Sequence, residues 1–315
     1  MKNIPIDDLL HEAGKVVIGR EREFKLLATA LITEGHVLFE DLPGTGKTTM
    51  MKAFARMMDC QFTRIQCTPD LLPSDVLGGS VFSPKTSEFY VRKGPVFTNV
   101  LLVDEINRAL PRTQSSLLEC MEEKQVTIEG ETFVLDVPFI VLATQNPVDM
   151  EGTFPLPEAQ MDRFLMKINL GYPTQEEETR MLLKVGDDIP FAEIASILDP
   201  NTINKIQNEA KQVHVHEDIV QYITSLAQAT RNHSLISIGV SPRGTKALYQ
   251  TVKSWALLHG RDYVIPDDVK DMANPVWNHR LALSSEARMS HMPPEKILSE
   301  IVNSVQVPKE QVVRS

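Results

Sequence analysis

The sequence predicts an α/β fold, a parallel sheet sandwiched by helices over residues 1–172, followed by an all-helical unit over residues 173–315. Three observations point there. Continuous apolar runs such as Val100-Leu101-Leu102-Val103 and Phe139-Ile140-Val141-Leu142-Ala143 have the look of strands buried on both faces. The first such run, His36-Val37-Leu38-Phe39-Glu40, leads through a glycine-containing turn into a helical pattern. The alternation of strand and helix stops at Gly171-Tyr172-Pro173, beyond which only helical periodicity remains.

Taken in order, Ile6, Leu9, Leu10, Ala13, Val16 and Val17 recur at helical spacing, and a second helix over about 21–33 carries Phe24, Leu27 and Leu31 on one face. Residues 62–67 read as the second strand. Between 70 and 97 Pro73, Gly78, Gly79, Pro84, Gly94 and Pro95 break every long pattern, so this stretch reads as an inserted loop or hairpin, too long for a simple connection. A helix over 111–123 carries Leu117, Leu118 and Met121, and residues 126–135 read as a β-hairpin around Glu129-Gly130-Glu131. Residues 165–170 form a last strand. Thr174 and Glu177 make a capping box that opens the first of five further helices, at about 174–185, 201–213, 216–231, 242–259 and 266–273.

Composition narrows the function. The 315 residues suffice for about two domains with a buried core. A formal net charge of −10 argues against a nucleic-acid backbone as partner, and no apolar run approaches the roughly 20 residues of a membrane span. Residues 1–8 lack the apolar core of a signal peptide, and Cys60, Cys67 and Cys120 form no metal-type pair, so a cytoplasmic location with buried structural thiols is expected. The Met57-Met58 pair reads as core filler.

The chemistry sits at the strand ends. In Pro43-Gly44-Thr45-Gly46-Lys47-Thr48-Thr49, glycines let the backbone curl around an anion at the positive end of the next helix. Lys47 would reach the β- and γ-phosphates of a nucleotide, and Thr48 would offer its hydroxyl to Mg²⁺. Asp41 stands where the usual pattern has its first glycine. Asp104, after a buried strand, is expected to hold Mg²⁺, and Glu105 to polarise a water for in-line attack. Asn146 would contact that water or the γ-phosphate, although a turn-forming Asn-Pro explains it as well. Arg243, in Ser241-Pro242-Arg243 at a helix start, is a cation opposing the helix dipole, which a facing phosphate would explain. For Arg163 a local salt bridge with Asp162 competes. His214, His216 and Glu217 invite a metal, but without a third ligand they read as a solvated helix start.

Together PGTGKT, LLVDEINRA, VLATQNP, LPEAQMDRF and SPRGTKAL resemble the AAA+ ATPases, specifically the MoxR family, over nearly the whole chain. The resemblance implies a Mg²⁺-dependent ATPase with a core and a helical lid, in which Val17-Ile18-Gly19 is the adenine-contacting turn and Asn146 is sensor 1. It also implies that Arg163 is the arginine finger supplied to a neighbouring subunit, with Arg108 and Arg112 as rivals, and that Arg243 is the sensor 2 residue of the lid, so that ATP lies between core and lid. It further implies a homo-oligomeric ring, commonly hexameric, acting as a chaperone-like remodeller on client proteins, with a von Willebrand factor A domain protein as partner. In that family the 70–97 insert and the 126–135 hairpin push on the client. Two other readings stand beside it. One is a nucleotide-switched binding scaffold with slow hydrolysis. The other is a DNA-acting motor, for which Lys85, Arg92 and Lys93 supply a little charge.

Overall fold

The computed structural model describes residues 4–40, 44–146, 152–184 and 191–308. The strands are β1 (Val37–Glu40), β2 (Phe62–Gln66), β3 (Gly78–Ser83), β4 (Glu88–Lys93), β5 (Val100–Asp104), β6 (Gln125–Ile128), β7 (Glu131–Val134), β8 (Ile140–Gln145), β9 (Met166–Ile168), β10 (Ile236–Ile238) and β11 (Ala282–Leu283). Helices α1 (Ile6–Ala13), α2 (Glu21–Ile32), α3 (Lys47–Met57), α4 (Pro73–Leu77), α5 (Pro111–Glu123) and α6 (Glu158–Met161) belong to the first half. Helices α7 (Gln175–Lys184), α8 (Pro200–Lys211), α9 (Glu217–Arg231), α10 (Pro242–Leu258), α11 (Pro266–Trp277), α12 (Ser285–Met289) and α13 (Pro294–Ser304) follow.

Five strands form one parallel sheet in the order β2-β5-β8-β1-β9. Parallel pairing puts all their carboxyl ends on one edge, where ligands of such sheets bind. Alternation divides the side chains between two cores. Val37, Phe39, Val100, Leu102, Ile140 and Leu142 face one, with Leu27, Met50, Phe54 and residues of the later helices such as Leu248, Met272 and Trp277. Leu38, Leu101, Val103, Val141 and Ala143 face the other, with Leu117, Leu118 and Met121 of α5 and Val126 and Leu135 of the hairpin. Burial on both faces is why these strands lack a polar alternation.

Of the two forms expected for the insert, loop or hairpin, the structure has the hairpin. The insert folds as α4 and the antiparallel hairpin β3–β4, closed at its base by Gly78 and Gly94. Gly78 has φ +96°, and a Cβ there would lie 2.2 Å from the Arg92 carbonyl, so only glycine fits. The pair β6–β7 forms the expected second hairpin. The capping box forms as read: Glu177 Oε2 accepts from the Thr174 N–H at 2.8 Å, and Thr174 Oγ1 accepts from the Glu177 N–H at 3.3 Å. Ser241 caps α10 by accepting from the Gly244 N–H at 3.1 Å.

Several expectations are corrected in extent. The opening helix ends at Ala13, and β9 covers only Met166–Ile168. Helix α11 runs on to Trp277 through Pro275, because the buried faces of Val269, Met272, Ala273, Val276 and Trp277 outweigh one lost hydrogen bond. His216 is the N-cap of α9, its Nδ1 accepting from the Asp218 N–H, and among the described residues no set of three or more His, Cys, Asp or Glu gathers to hold a metal. Burial pushes the Cys60, Cys67 and Cys120 thiols up to about 12; Cys67 and Cys120 are buried as expected, whereas Cys60 is only partly so. No described helix is long and apolar enough to cross a membrane.

Candidate nucleotide site and its family

The carboxyl edge of the sheet carries a cleft of about 420 Å³ lined by Gly44 to Thr49, Arg64, Gln66, Asp104, Glu105, Thr144, Gln145 and Asn146. Gly44 and Gly46 hold φ of +84° and +81°, with open space where a Cβ would point. The left-handed backbone, not crowding, is therefore what selects glycine here. Gly46 caps α3, so the first turn of the helix, which begins at Lys47, borders the cleft with the positive end of its dipole. Pro43 and Asp41 lie outside the described residues.

Asp104 ends β5, and Glu105 begins the turn after it. One Asp104 oxygen accepts from the Thr144 hydroxyl at 2.5 Å, while Thr144 Oγ1 accepts from the Glu105 N–H at 2.8 Å. Thr144, at the end of the neighbouring strand β8, thus ties the two acidic residues together. Glu105 has φ 55° and ψ 52°, a left-handed conformation costly for a residue with a side chain, roughly 1–3 kcal/mol. Its carboxylate receives Gln66 Nε2 at 2.9 Å and lies 3.3 Å from Arg108 Nε. The other Asp104 oxygen pairs with Arg64 Nη2 at 2.7 Å.

Arg64 and Gln66 went unnoticed in the sequence, although the signal was present. They alternate on one face of β2, and β2 pairs with β5 in a register that sets Gln66 opposite Asp104. The turn after Asp104 is fixed from beneath by buried amides. Gln114 Nε2 donates to the carbonyls of Ile106, Ala109 and Phe154, and Asn107 Nδ2 to that of Asn146.

Magnesium fits this donor set. Thr48 offers a hydroxyl and Asp104 a carboxylate, the few hard oxygens that Mg²⁺ takes from protein beside a phosphate. In addition, the Gln145 amide oxygen is buried at the cleft without a hydrogen-bond partner.

The two arginines lie elsewhere. Helix α5 runs back from the Asp104 end to Glu122, and the next carbonyl before it, that of Met121, meets His36 Nε2 at 2.9 Å just ahead of β1. Glu122 is therefore at the amino edge of the sheet. Arg163 Nε lies 3.3 Å from Glu122 Oε2, and Arg243 Nη2 lies 3.2 Å from Glu122 Oε1. The local pair of Arg163 with Asp162 does not form; Asp162 is taken by Arg280 at 2.6 Å and faces Arg243 at 3.8 Å. The 13 residues of α5, roughly 20 Å of helix, separate these arginines from the cleft of their own subunit. Lid residues do not line the described cleft. Val17, Ile18 and Gly19 do not line it either; Gly19 packs under the carboxylate of Glu177. Arg112 is exposed in the first turn of α5.

Residues 36–166 match the ATPase family associated with various cellular activities (AAA), and residues 228–301 match the AAA lid domain. The chaperone MoxR1 of Mycobacterium tuberculosis is 39% identical to this chain, over 98% of this chain and 84% of its own length. The chain belongs to the MoxR family of AAA+ ATPases. Another relative, the uncharacterized protein YeaC of Bacillus subtilis (strain 168), is 46% identical over 94% of this chain and 92% of its own. A candidate ATPase from Cytophaga hutchinsonii, solved as a crystal structure, superposes with a TM-score of 0.90 at 42% identity, covering 96% of this chain and 95% of that one. The AAA match thus runs from just ahead of β1 to the first residue of β9, and the lid match from the end of α9 into α13.

Proposed function

We propose that the chain hydrolyses ATP with Mg²⁺ in a homo-oligomeric ring, commonly hexameric in form, and uses the cycle to remodel client protein complexes. The observation that carries this reading is the convergence of Lys47, Thr48, Asp104, Glu105 and Asn146, from three separate segments of sequence, on one cleft. The core is taken as residues 1–172 and the lid as residues 173–315. Backbone N–H groups at the start of α3 and the Lys47 ammonium bind the phosphates. Thr48 and Asp104 would hold Mg²⁺, which supplies charge neutralisation at the β- and γ-phosphates. Glu105 accepts the proton of the attacking water, and Asn146 orients that water. Val17, Ile18 and Gly19 are proposed to face the adenine.

Arg163 and Arg243 are proposed to act in trans, stabilising the charge on a triphosphate held by the neighbouring subunit. What supports this is their shared location at the amino edge of the sheet, out of reach of their own cleft. This replaces the simpler expectation that ATP lies between the core and lid of one chain. The exposed Phe82, Phe89 and Tyr90 of the β3–β4 hairpin support a client-facing role for the insert. A client carrying a von Willebrand factor A domain and a cytoplasmic site of action belong to the same reading.

The scaffold alternative, a slowly turning nucleotide switch, draws support from the grip of Gln66 and Arg108 on Glu105, which opposes its use as a base. Sedimentation with ATP and Mg²⁺ tests the ring: a nucleotide-dependent closed assembly is expected, and a monomer under all nucleotide conditions contradicts it. Turnover with and without client separates remodeller from scaffold, since only the former is stimulated.

A further inference from the structure

At the amino edge of the sheet three arginines meet two carboxylates. The floor of the cluster is sealed. Arg280, with its side chain 4% exposed, places Nε 2.6 Å from Asp162 Oδ1, and its terminal nitrogens donate to the carbonyls of Asp162, Phe164, Leu165 and Val276. The outer side is open. Arg163, Arg243 and Glu122 have side chains 31%, 49% and 39% exposed.

Glu122 gives one oxygen to each arginine, at 3.3 Å to Arg163 Nε and 3.2 Å to Arg243 Nη2. It thereby bridges two cations that come from distant parts of the chain, one just before β9 and one from the first turn of α10. Without that carboxylate the two guanidinium groups would repel each other at close range. Even with it, three positive charges face two negative ones, and the uncompensated charge lies on the open side. Such a cluster attracts one more anion.

The two outer pairs are longer than the 2.6 Å pair beneath them and open to water. Exposed pairs of this kind contribute little to stability and are readily exchanged. A triphosphate offers a denser negative charge and better-matched oxygens for two arginine forks.

We propose that Glu122 is a built-in stand-in for the neighbour's terminal phosphate. In a lone subunit it keeps Arg163 and Arg243 side by side, and on assembly it yields them to the triphosphate across the boundary. The proposal rests on the reading that these two arginines serve the neighbouring subunit. Glu122 is a positioning residue, because it acts through the arginines and does not touch the nucleotide. Its carboxylate also competes with the phosphate for the same donors, so it holds back productive assembly at low subunit concentration.

The test is ATP turnover per subunit as a function of subunit concentration, for the full chain and its Glu122→Gln variant. The amide keeps the shape and removes the charge. The subunit concentration giving half-maximal turnover is expected to fall by roughly three- to tenfold in the variant, the scale of one or two exposed ion pairs. A gain at low concentration cannot come from damage to the fold. A variant curve that superposes on the unmodified one, or moves to higher concentration, overturns the role of Glu122. Arg163→Ala and Arg243→Ala run in parallel separate this from its premise. If both leave turnover intact, the trans reading falls and Glu122 with it. If both lower turnover while the Glu122→Gln curve does not shift, only the stand-in role falls.

Discussion

Whether Arg163 works on its own nucleotide or its neighbour's can be decided by mixing two inactive variants. In Arg163→Ala the subunit keeps Glu105 and loses the arginine; in Glu105→Gln it keeps the arginine and loses the base. The roughly 20 Å of α5 between Glu122 and the Asp104 turn leaves no path for Arg163 to its own cleft. Each active site would therefore be assembled from two chains. In a random equimolar mixture, one boundary in four joins an Arg163→Ala acceptor to a Glu105→Gln donor. Loss of an arginine finger typically costs about 10³–10⁵ in rate, so each variant alone should be near silent and the mixture should recover about a quarter of the unmodified turnover. Phosphate release at saturating ATP, after the pre-mixed subunits exchange, reads this directly. A mixture no more active than its two components would refute the reasoning, since it would mean that the arginine acts within its own subunit.

Other predictions concern the supports of the site. Burial lowers the His36 imidazole to about 4, and His36 is neutral while its Nδ1 accepts from the Val141 N–H and its Nε2 donates to the Met121 carbonyl. The unfolded chain binds a proton near pH 6.5 that the native chain refuses, so stability should fall as pH drops from about 6.5 toward about 4, by about 3 kcal/mol from this group. Burial also lowers His279, which adds to the fall with the same sign. Urea unfolding at pH 7 and pH 4.5 should show a flatter pH dependence in His36→Gln; an equal slope in both proteins contradicts the assignment. Arg280→Met leaves Asp162 and three carbonyls of residues 162–165 without their buried donor and should cost about 3–5 kcal/mol. A change below about 1 kcal/mol by the same measurement would show that the clamp is dispensable.

Much of this architecture was legible beforehand, for identifiable physical reasons. Strands β1, β5 and β8 are buried on both faces, and such strands write themselves as unbroken apolar runs. The phosphate loop needs left-handed glycines ahead of a helix, a local requirement that leaves a local mark. Pairwise geometry across strands leaves no such mark. Arg64 and Gln66 become site residues only because β2 lies beside β5, and Arg280 becomes a clamp only because the helical half folds back onto residues 162–165. For the same reason the contact of Arg163 and Arg243 with Glu122 could not be read in advance, since nothing local to residues 163 or 243 announces that both end against that carboxylate.

The central claim is that Glu105, held in a left-handed turn at the carboxyl edge of the sheet, is the base for ATP hydrolysis. Steady-state phosphate release and equilibrium ATP binding of the Glu105→Gln variant, measured side by side with the unmodified protein, test it most directly. Turnover should fall by about 10²–10⁴-fold while ATP affinity stays within a few-fold, because the amide cannot accept the proton but the phosphate-binding loop is untouched. Unchanged turnover, or loss of turnover together with loss of binding, would contradict it.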